Sequence, residues 1–177
     1  MPWLHHLADF TRFTAFKRAF NGAARWVQSL KNMQVMPGAA DVAQHLDRLS
    51  IPRGLITRNV LTSVDHFHKT AFPEPPFHPA LARCFTPYKP APDALLHICK
   101  TWGIDPKHAV MVGDSAKDDI VCGNRAGATT ILIDVERTYE GKTLPAEHTP
   151  TFHVFSMDEL LRVLQHECEL APRVAVA

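Results

Sequence analysis

The sequence lacks the features of membrane-spanning and nucleic-acid-binding proteins. None of its 177 residues lie in an apolar run of the roughly 18 residues that a membrane-spanning helix needs. Its formal net charge is +1, so no excess of positive charge favours nucleic acid or an anionic membrane surface. We therefore expect neither a nucleic-acid partner nor a membrane partner.

Paired cysteines are lacking as well. The four cysteines lie far apart and form no CxxC pair, which indicates free thiols in a reducing compartment, and we expect the cytoplasm. Eleven histidines is a high count, and His66 and His68 invite a metal hypothesis. Residues two apart point to different sides of a helix, however, and no acidic or cysteine partner recurs at ligand spacing. Histidines that are solvated or at the edge of the core are the simpler interpretation.

The first 34 residues show a helical pattern of their own. Apolar residues recur at steps of three and four between Trp3 and Leu30, with one break at Asn21-Gly22. The segment is basic and contains a single acid, Asp9, so an amphipathic targeting sequence is one interpretation. Serine is scarce and no secretory apolar region is present, so we favour a small folded helical piece spanning residues 1–34.

Beyond residue 35 the pattern becomes an alternation of helices and strands. Short apolar runs bounded by turn residues predict strands, and longer amphipathic runs predict helices. The predicted strands are 54–57, 109–112, 130–133 and 152–155, and the predicted helices are 37–49, 61–69, 93–102, 118–126 and 157–166. Such alternation is typical of an α/β protein, a Rossmann-like parallel sheet with helices on both faces. We assign residues 35–166 to this core and residues 167–177 to a tail.

Two polar residues stand where ligands bind in such folds, near the carboxyl ends of strands. Thr57 follows the first predicted strand and could offer its hydroxyl to a phosphoryl oxygen, although a threonine there is more often a turn or cap residue. Lys89 precedes a helix that begins near Pro90, where its charge and the helix N-terminus could meet a phosphate. Each signal is weak alone, since a loop lysine is usually solvated.

The strongest signal is an acidic cluster after the strand at 109–112. Gly113 allows a sharp turn, and Asp114, Asp118 and Asp119 follow within six residues. Three carboxylates so close together repel one another unless a cation lies among them. Carboxylate oxygens suit Mg²⁺, which also bridges to substrate phosphate. Helix capping explains one of these acids but not three, so we predict Mg²⁺ as a cofactor.

Thr57, Lys89 and the acidic cluster, in this order, resemble the second, third and fourth motifs of the haloacid dehalogenase superfamily, and the run 54–59 resembles its phosphoglycolate-phosphatase-like branch. The match spans about residues 35–164. The resemblance implies that Thr57, with Arg58 and Asn59, binds the phosphoryl group and that Lys89 steadies nucleophile and phosphate. It implies that Asp114 ligates Mg²⁺, and that Asp119, or with less support Asp118, is a second ligand or holds Lys89 in place.

The first motif of that superfamily is missing. Its members begin with a strand ending in DxDGT, whose first aspartate attacks phosphorus, and this sequence contains no DxD. Asp9-Phe10-Thr11 is a poor substitute because it lies in a helical pattern. The family's first strand lies between the strands that carry Thr57 and Asp114, so its loss would expose two edges. We therefore expect a truncated or poorly folding chain, inactive as written; a lost N-terminus could also have carried an organellar targeting peptide.

Two functions fit these observations. The first is a Mg²⁺-dependent phosphomonoesterase acting on a small phosphorylated metabolite through an aspartyl-phosphate, with residues 1–34 as a cap. The second is a catalytically inactive binding or regulatory protein that keeps three motifs of four. A receiver domain of the response-regulator type also pairs acids with a lysine, but here the lysine precedes the acids. Neither the particular ester nor the oligomeric state follows from the sequence.

Overall fold

The computed structural model describes residues 35–70, 76–168 and 170. The predicted cap piece of residues 1–34 and most of the predicted tail lie outside this part of the chain. No helix in the described ranges has the length and apolar character needed to cross a membrane.

The described residues contain five α-helices and five strands, which alternate along the chain except that β5 follows β4 without an α-helix between them. The helices are α1 (Ala39–Arg48), α2 (Leu61–Thr70), α3 (Asp93–Trp102), α4 (Val121–Ala126) and α5 (Met157–His166). The strands are β1 (Leu55–Ile56), β2 (Ala80–Leu81), β3 (Val110–Gly113), β4 (Thr129–Ile133) and β5 (Phe152–Val154). Short 3₁₀ helices cover Pro106–His108 and Ala146–His148, and a π-helix covers Ala116–Ile120.

All strand pairs are parallel, as the sequence predicts, but the strands form two sheets. One contains β1 and β2, and the other has the order β3-β4-β5. Strand β2 was not predicted, because two residues after a proline-rich run carry no recognisable period. It is paired with β1 by two main-chain hydrogen bonds. The Leu55 amide donates to the Pro79 carbonyl oxygen at 3.0 Å, and the Thr57 amide donates to the Leu81 carbonyl oxygen at 2.9 Å.

Helices cover both faces of the three-stranded sheet, which confirms the predicted α/β architecture. On one face, α1 and α5 pack over Ile131, Ile133 and Val154. On the other face, α3 and α4 pack around Met111, and Ile56 of β1 joins the same apolar cluster. The buried side chains of this second cluster therefore connect the two sheets, although no backbone ladder joins β1 to β3 in the described part of the chain.

The predicted helix at 118–126 begins differently from the prediction. The chain leaves β3 and makes the π-helix Ala116–Ile120 before α4 starts at Val121. The amides of Asp118, Asp119 and Ile120 all reach the carbonyl oxygen of Ser115, at 3.3, 2.9 and 3.2 Å. A π-helical turn is wider than an α-helical one and is often found at functional sites. Here it sets the directions of two consecutive aspartates.

Candidate functional site

The site lies where the carboxyl ends of β1 and β3 meet the loop that carries Lys89. The Lys89 side chain is only 5% exposed. Its ammonium forms an ion pair with the Asp119 carboxylate and also donates to the carbonyl oxygen of Ile56, at 3.2 Å. A buried ammonium requires such partners because its desolvation is otherwise very costly. Lys89 is thus fixed between the two strand ends.

Asp119 is the other buried member of this pair. Its side chain is 1% exposed, and its second oxygen accepts a hydrogen bond from the Ser115 amide at 3.1 Å. Burial raises the pKa of the Asp119 carboxyl, and the neighbouring ammonium of Lys89 opposes that rise. The negative charge of Asp114 raises the pKa of Asp119 further. Asp119 therefore contacts Lys89, one of the two roles that the sequence left open for it.

Asp118 faces a different cation. One nitrogen of the Arg58 guanidinium, Nη2, lies 2.9 Å from the Asp118 carboxylate and 2.8 Å from the backbone oxygen of Lys89. This pair is more exposed than the first, with side-chain exposures of 31% for Arg58 and 20% for Asp118. The structure therefore places Asp118 against Arg58, a contact that the sequence analysis did not anticipate.

Gly113 makes room for the buried pair. A methyl group on its α-carbon would lie 2.3 Å from the side chain of Asp119, and real Cβ atoms do not approach so closely. The glycine is thus required by the close approach of a carboxylate, in addition to the turn that the sequence suggested. A glycine followed by acids is the one local signal that points to this geometry.

Thr57 and Asn59 are tied into the turn after β1. The Thr57 hydroxyl oxygen accepts a hydrogen bond from the Asn59 amide at 3.1 Å, and the Thr57 side chain is buried. The Asn59 carbonyl oxygen accepts from the Arg83 amide at 2.8 Å. Thr57, Arg58 and Lys89 also line one small shared cavity with Tyr88. The structure thus brings Thr57 to the site, with its oxygen already used as a turn acceptor.

The described residues do not by themselves form a magnesium site. No group of three His, Cys, Asp or Glu side chains is placed to hold a metal ion within the described ranges. Two of the three candidate carboxylates, those of Asp118 and Asp119, each face a cation instead. Asp114 follows the end of β3 and is the remaining candidate ligand of the predicted three. Magnesium commonly binds one or two carboxylates together with water and substrate oxygens.

Comparisons with known proteins identify the class of this fold. Residues 88–160 match a family model described as HAD-hydrolase-like. A haloacid dehalogenase-like hydrolase domain-containing protein of Arabidopsis thaliana is 47% identical over 170 residues, which cover 96% of this chain and 69% of that protein. The chain belongs to the haloacid dehalogenase superfamily of hydrolases.

Two further comparisons concern phosphatases. A phosphoglycolate phosphatase of Psychrobacter arcticus is 37% identical over 76 residues, covering 42% of this chain and 33% of that protein. The crystal structure of a predicted phosphoglycolate phosphatase from Haemophilus somnus superposes with a TM-score of 0.66 and 21% identity, covering 79% of this chain and 62% of that one. The structural likeness supports the fold, and the sequence likeness supports a phosphatase-like hydrolase.

Proposed function

We propose that the complete protein is a Mg²⁺-dependent phosphomonoesterase acting on a small phosphorylated metabolite. The observation that carries this proposal is the buried Lys89, fixed by Asp119 and the Ile56 carbonyl oxygen near the carboxyl ends of β1 and β3. A preorganised ammonium in a water-poor site stabilises the charge that develops on phosphoryl oxygens in the transition state. The membership of a hydrolase superfamily supports the same reaction class.

In this proposal each residue of the site has a separate role in binding or activating the phosphate ester. Lys89 supplies a fixed positive charge to the phosphoryl group, and the Thr57 hydroxyl, whose oxygen accepts from Asn59, keeps its proton as a donor to a phosphoryl oxygen. Asp114 would hold Mg²⁺, which would supply further positive charge to the same oxygens. The attacking aspartate would come from a DxDGT-like strand that is absent from this sequence. The basic, amphipathic residues 1–34 would serve as a cap over the site.

The substrate class rests on relatives that are named as phosphatases of small molecules. These are the phosphoglycolate phosphatase of Psychrobacter arcticus and an N-acylneuraminate-9-phosphatase of Rattus norvegicus, which is 35% identical over 88 residues. Each match covers less than half of this chain, so the proposal extends to small phosphate esters as a class and not to one ester.

The test is the hydrolysis of p-nitrophenyl phosphate by the protein isolated from its own cells, with and without Mg²⁺. Its intact mass is measured first, because a mass well above 19.8 kDa with an upstream DxDGT-like peptide would identify the nucleophile. We expect Mg²⁺-dependent turnover that Asp114→Asn abolishes. Turnover retained by Asp114→Asn would refute the metal assignment, and absence of turnover in a protein that carries the upstream motif would refute the phosphatase.

The second candidate is a binding or regulatory protein, and the absence of DxD from the sequence favours it for the 177-residue form. That form would bind a phosphate ester or Mg²⁺ without turning it over, or pair with a longer copy. Titration calorimetry of the 177-residue protein with inorganic phosphate and with Mg²⁺ separates the two candidates. Measurable binding beside zero hydrolysis supports the binding protein.

A further inference from the structure

Lys89 and the turn after β1 hold one another through a reciprocal pair of contacts. The Lys89 ammonium donates to the backbone oxygen of Ile56, at 3.2 Å. In return, the Arg58 guanidinium donates to the backbone oxygen of Lys89, at 2.8 Å. Arg58 thus binds the main chain of Lys89, and Lys89 binds the main chain two residues before Arg58. Two hydrogen bonds from charged side chains, one running in each direction, hold the end of β1 and the loop at Lys89 together more firmly than one contact would.

The acids of the π-helix close this network on its other side. Asp118 pairs with Arg58 at 2.9 Å, and Asp119 pairs with Lys89. Because the acids are consecutive, one short element sets the positions of both cations. Arg58, which follows the end of β1, therefore links this strand end to the loop at Lys89 and to the π-helix.

The backbone of Lys89 needs such an anchor. Residues 82–92 contain no helix or strand, and the main-chain hydrogen bond that spans Lys89 is a turn bond from the Ala91 amide to the Tyr88 carbonyl oxygen, at 3.2 Å, so contacts from other segments help to fix the path of this loop. The guanidinium of Arg58 also lies over the Tyr88 ring, with its Cζ atom 5.8 Å from the ring centre, within the range of a cation–π contact. Arg58 thus touches two consecutive residues of this loop, by a hydrogen bond to one and a ring contact to the other.

We propose that Arg58 is a positioning residue, which holds the Lys89 backbone in place with Asp118 as its counter-ion. This inference rests on the proposed function for its catalytic meaning, because Lys89 is the charge that would meet the phosphoryl group. It replaces the substrate-binding role that the resemblance implied for Arg58, and the metal-binding role considered for Asp118. Arginine suits this position because one guanidinium nitrogen can donate to two acceptors while the guanidinium itself lies over the Tyr88 ring.

The test is the amine reactivity of Lys89 in the folded 177-residue protein. Reductive methylation labels the amine, and mass spectrometry measures the extent of labelling. Arg58→Met removes the guanidinium and keeps an unbranched apolar side chain. We expect Lys89 labelling to rise roughly tenfold, the effect of losing one hydrogen bond that involves a charged group. Arg58→Lys keeps the charge but reaches one acceptor at most, so it restores part of the protection.

Two references separate local release from general unfolding. Modification of the buried thiol of Cys99 by a thiol reagent reports global opening, and reductive methylation of the exposed Lys107 reports reagent strength. The matched control is Arg83→Met, which removes an exposed arginine of the same loop and leaves Lys89 protected. If Lys89 labelling rises no more than Cys99 labelling, or rises equally in Arg83→Met, the positioning role is refuted. Should Arg58→Met fail to fold, Asp118→Asn decides, with an expected rise of about twofold to threefold for a weakened pair.

The catalytic consequence has a separate readout. In the form that hydrolyses p-nitrophenyl phosphate, Arg58→Met lowers kcat and leaves KM nearly unchanged, because a displaced Lys89 weakens interactions made in the transition state. A rise in KM with unchanged kcat would instead restore Arg58 to substrate binding. If the parent protein shows no hydrolysis, the proposed function fails, while the labelling ratio still decides the role of Arg58.

Discussion

At the residue scale, two adjacent ion pairs of this site differ in burial. The Lys89–Asp119 pair is almost inaccessible to water, whereas Arg58 and Asp118 are partly exposed. Removing one member of a buried pair leaves an uncompensated charge, while an exposed pair contributes little to stability. Residues around Asp119 are therefore constrained more tightly than those around Asp118.

Gly113→Ala tests this constraint directly. The added methyl group would occupy the space of the Asp119 side chain, so Asp119 must move and its contact with Lys89 must weaken. We expect the free energy of unfolding to fall by about 1–3 kcal/mol, the usual effect of overpacking. Urea denaturation measures it. The control is Gly54→Ala, whose methyl group would lie no closer than 3.0 Å to its nearest neighbours, the side chains of Ile98 and Trp102. Equal losses in the two variants would contradict the special crowding at Gly113.

The thiol of Cys122 gives a pH-dependent prediction. Burial raises the pKa of Cys122 from 9.0 to about 11. Between these values the unfolded chain releases a proton that the folded protein retains, so stability falls as the pH rises from 9 to 11. We expect this thiol to contribute a loss on the order of 2 kcal/mol over that interval.

Urea denaturation at pH 8 and at pH 10.5 measures this loss. Cys122→Ala shows a smaller fall than the parent protein, and the difference between the two isolates the thiol from the other groups that titrate. Cys84→Ser, at an exposed cysteine, serves as the control and retains the full fall. If Cys122→Ala loses as much stability with pH as the parent, the thiol of Cys122 is not held neutral by burial.

At the element scale, the start of α5 shows how local sequence fixes a helix end. The Ser156 hydroxyl accepts from the Glu159 amide at 3.1 Å, and the Glu159 carboxylate accepts from the Phe155 amide at 2.7 Å. The first contact satisfies an amide that the first turn leaves without a helical partner, and the second binds the amide of the residue before the N-cap, so the arrangement is a variant of the capping box. Helix α5 also packs its buried residues on β4 and β5, so its position affects the core of the three-stranded sheet.

Ser156→Ala removes the cap acceptor of α5. We expect a loss of about 1 kcal/mol, which thermal unfolding detects as a lower Tm. Ser156→Thr keeps a hydroxyl and retains most of the stability. A Tm in Ser156→Ala that equals that of the parent would show that water or another group replaces the cap.

At the scale of the whole molecule, the two sheets differ in how firmly they are held. Strands β3, β4 and β5 form a continuous three-stranded ladder covered by helices on both faces, while β1 and β2 pair over two residues each. A two-stranded pair is marginal alone, so β1 depends on side-chain contacts such as Ile56 in the shared core.

Amide hydrogen exchange of the 177-residue protein should resolve this difference. The amides of Leu55 and Thr57, which bond to β2, exchange through a smaller free energy of opening than those of β4. We expect a gap of at least about 1.4 kcal/mol, or tenfold in rate. Equal protection of both sheets would mean that they open as one cooperative unit.

The sequence by itself determined the alternation of elements, the helices on both faces and the meeting of Thr57, Lys89 and the acidic cluster. These follow from local periods and from the rule that parallel strands end at one edge. Only the tertiary structure decided the division into two sheets and which acid meets which cation. Lys89 and Asp119 are 30 positions apart and Arg58 and Asp118 are 60, so their pairing depends on the loop path and on a π-helical turn. Neither the division into two sheets nor the pairing of acids with cations leaves a periodic signal in the sequence, because both arise from packing between distant segments.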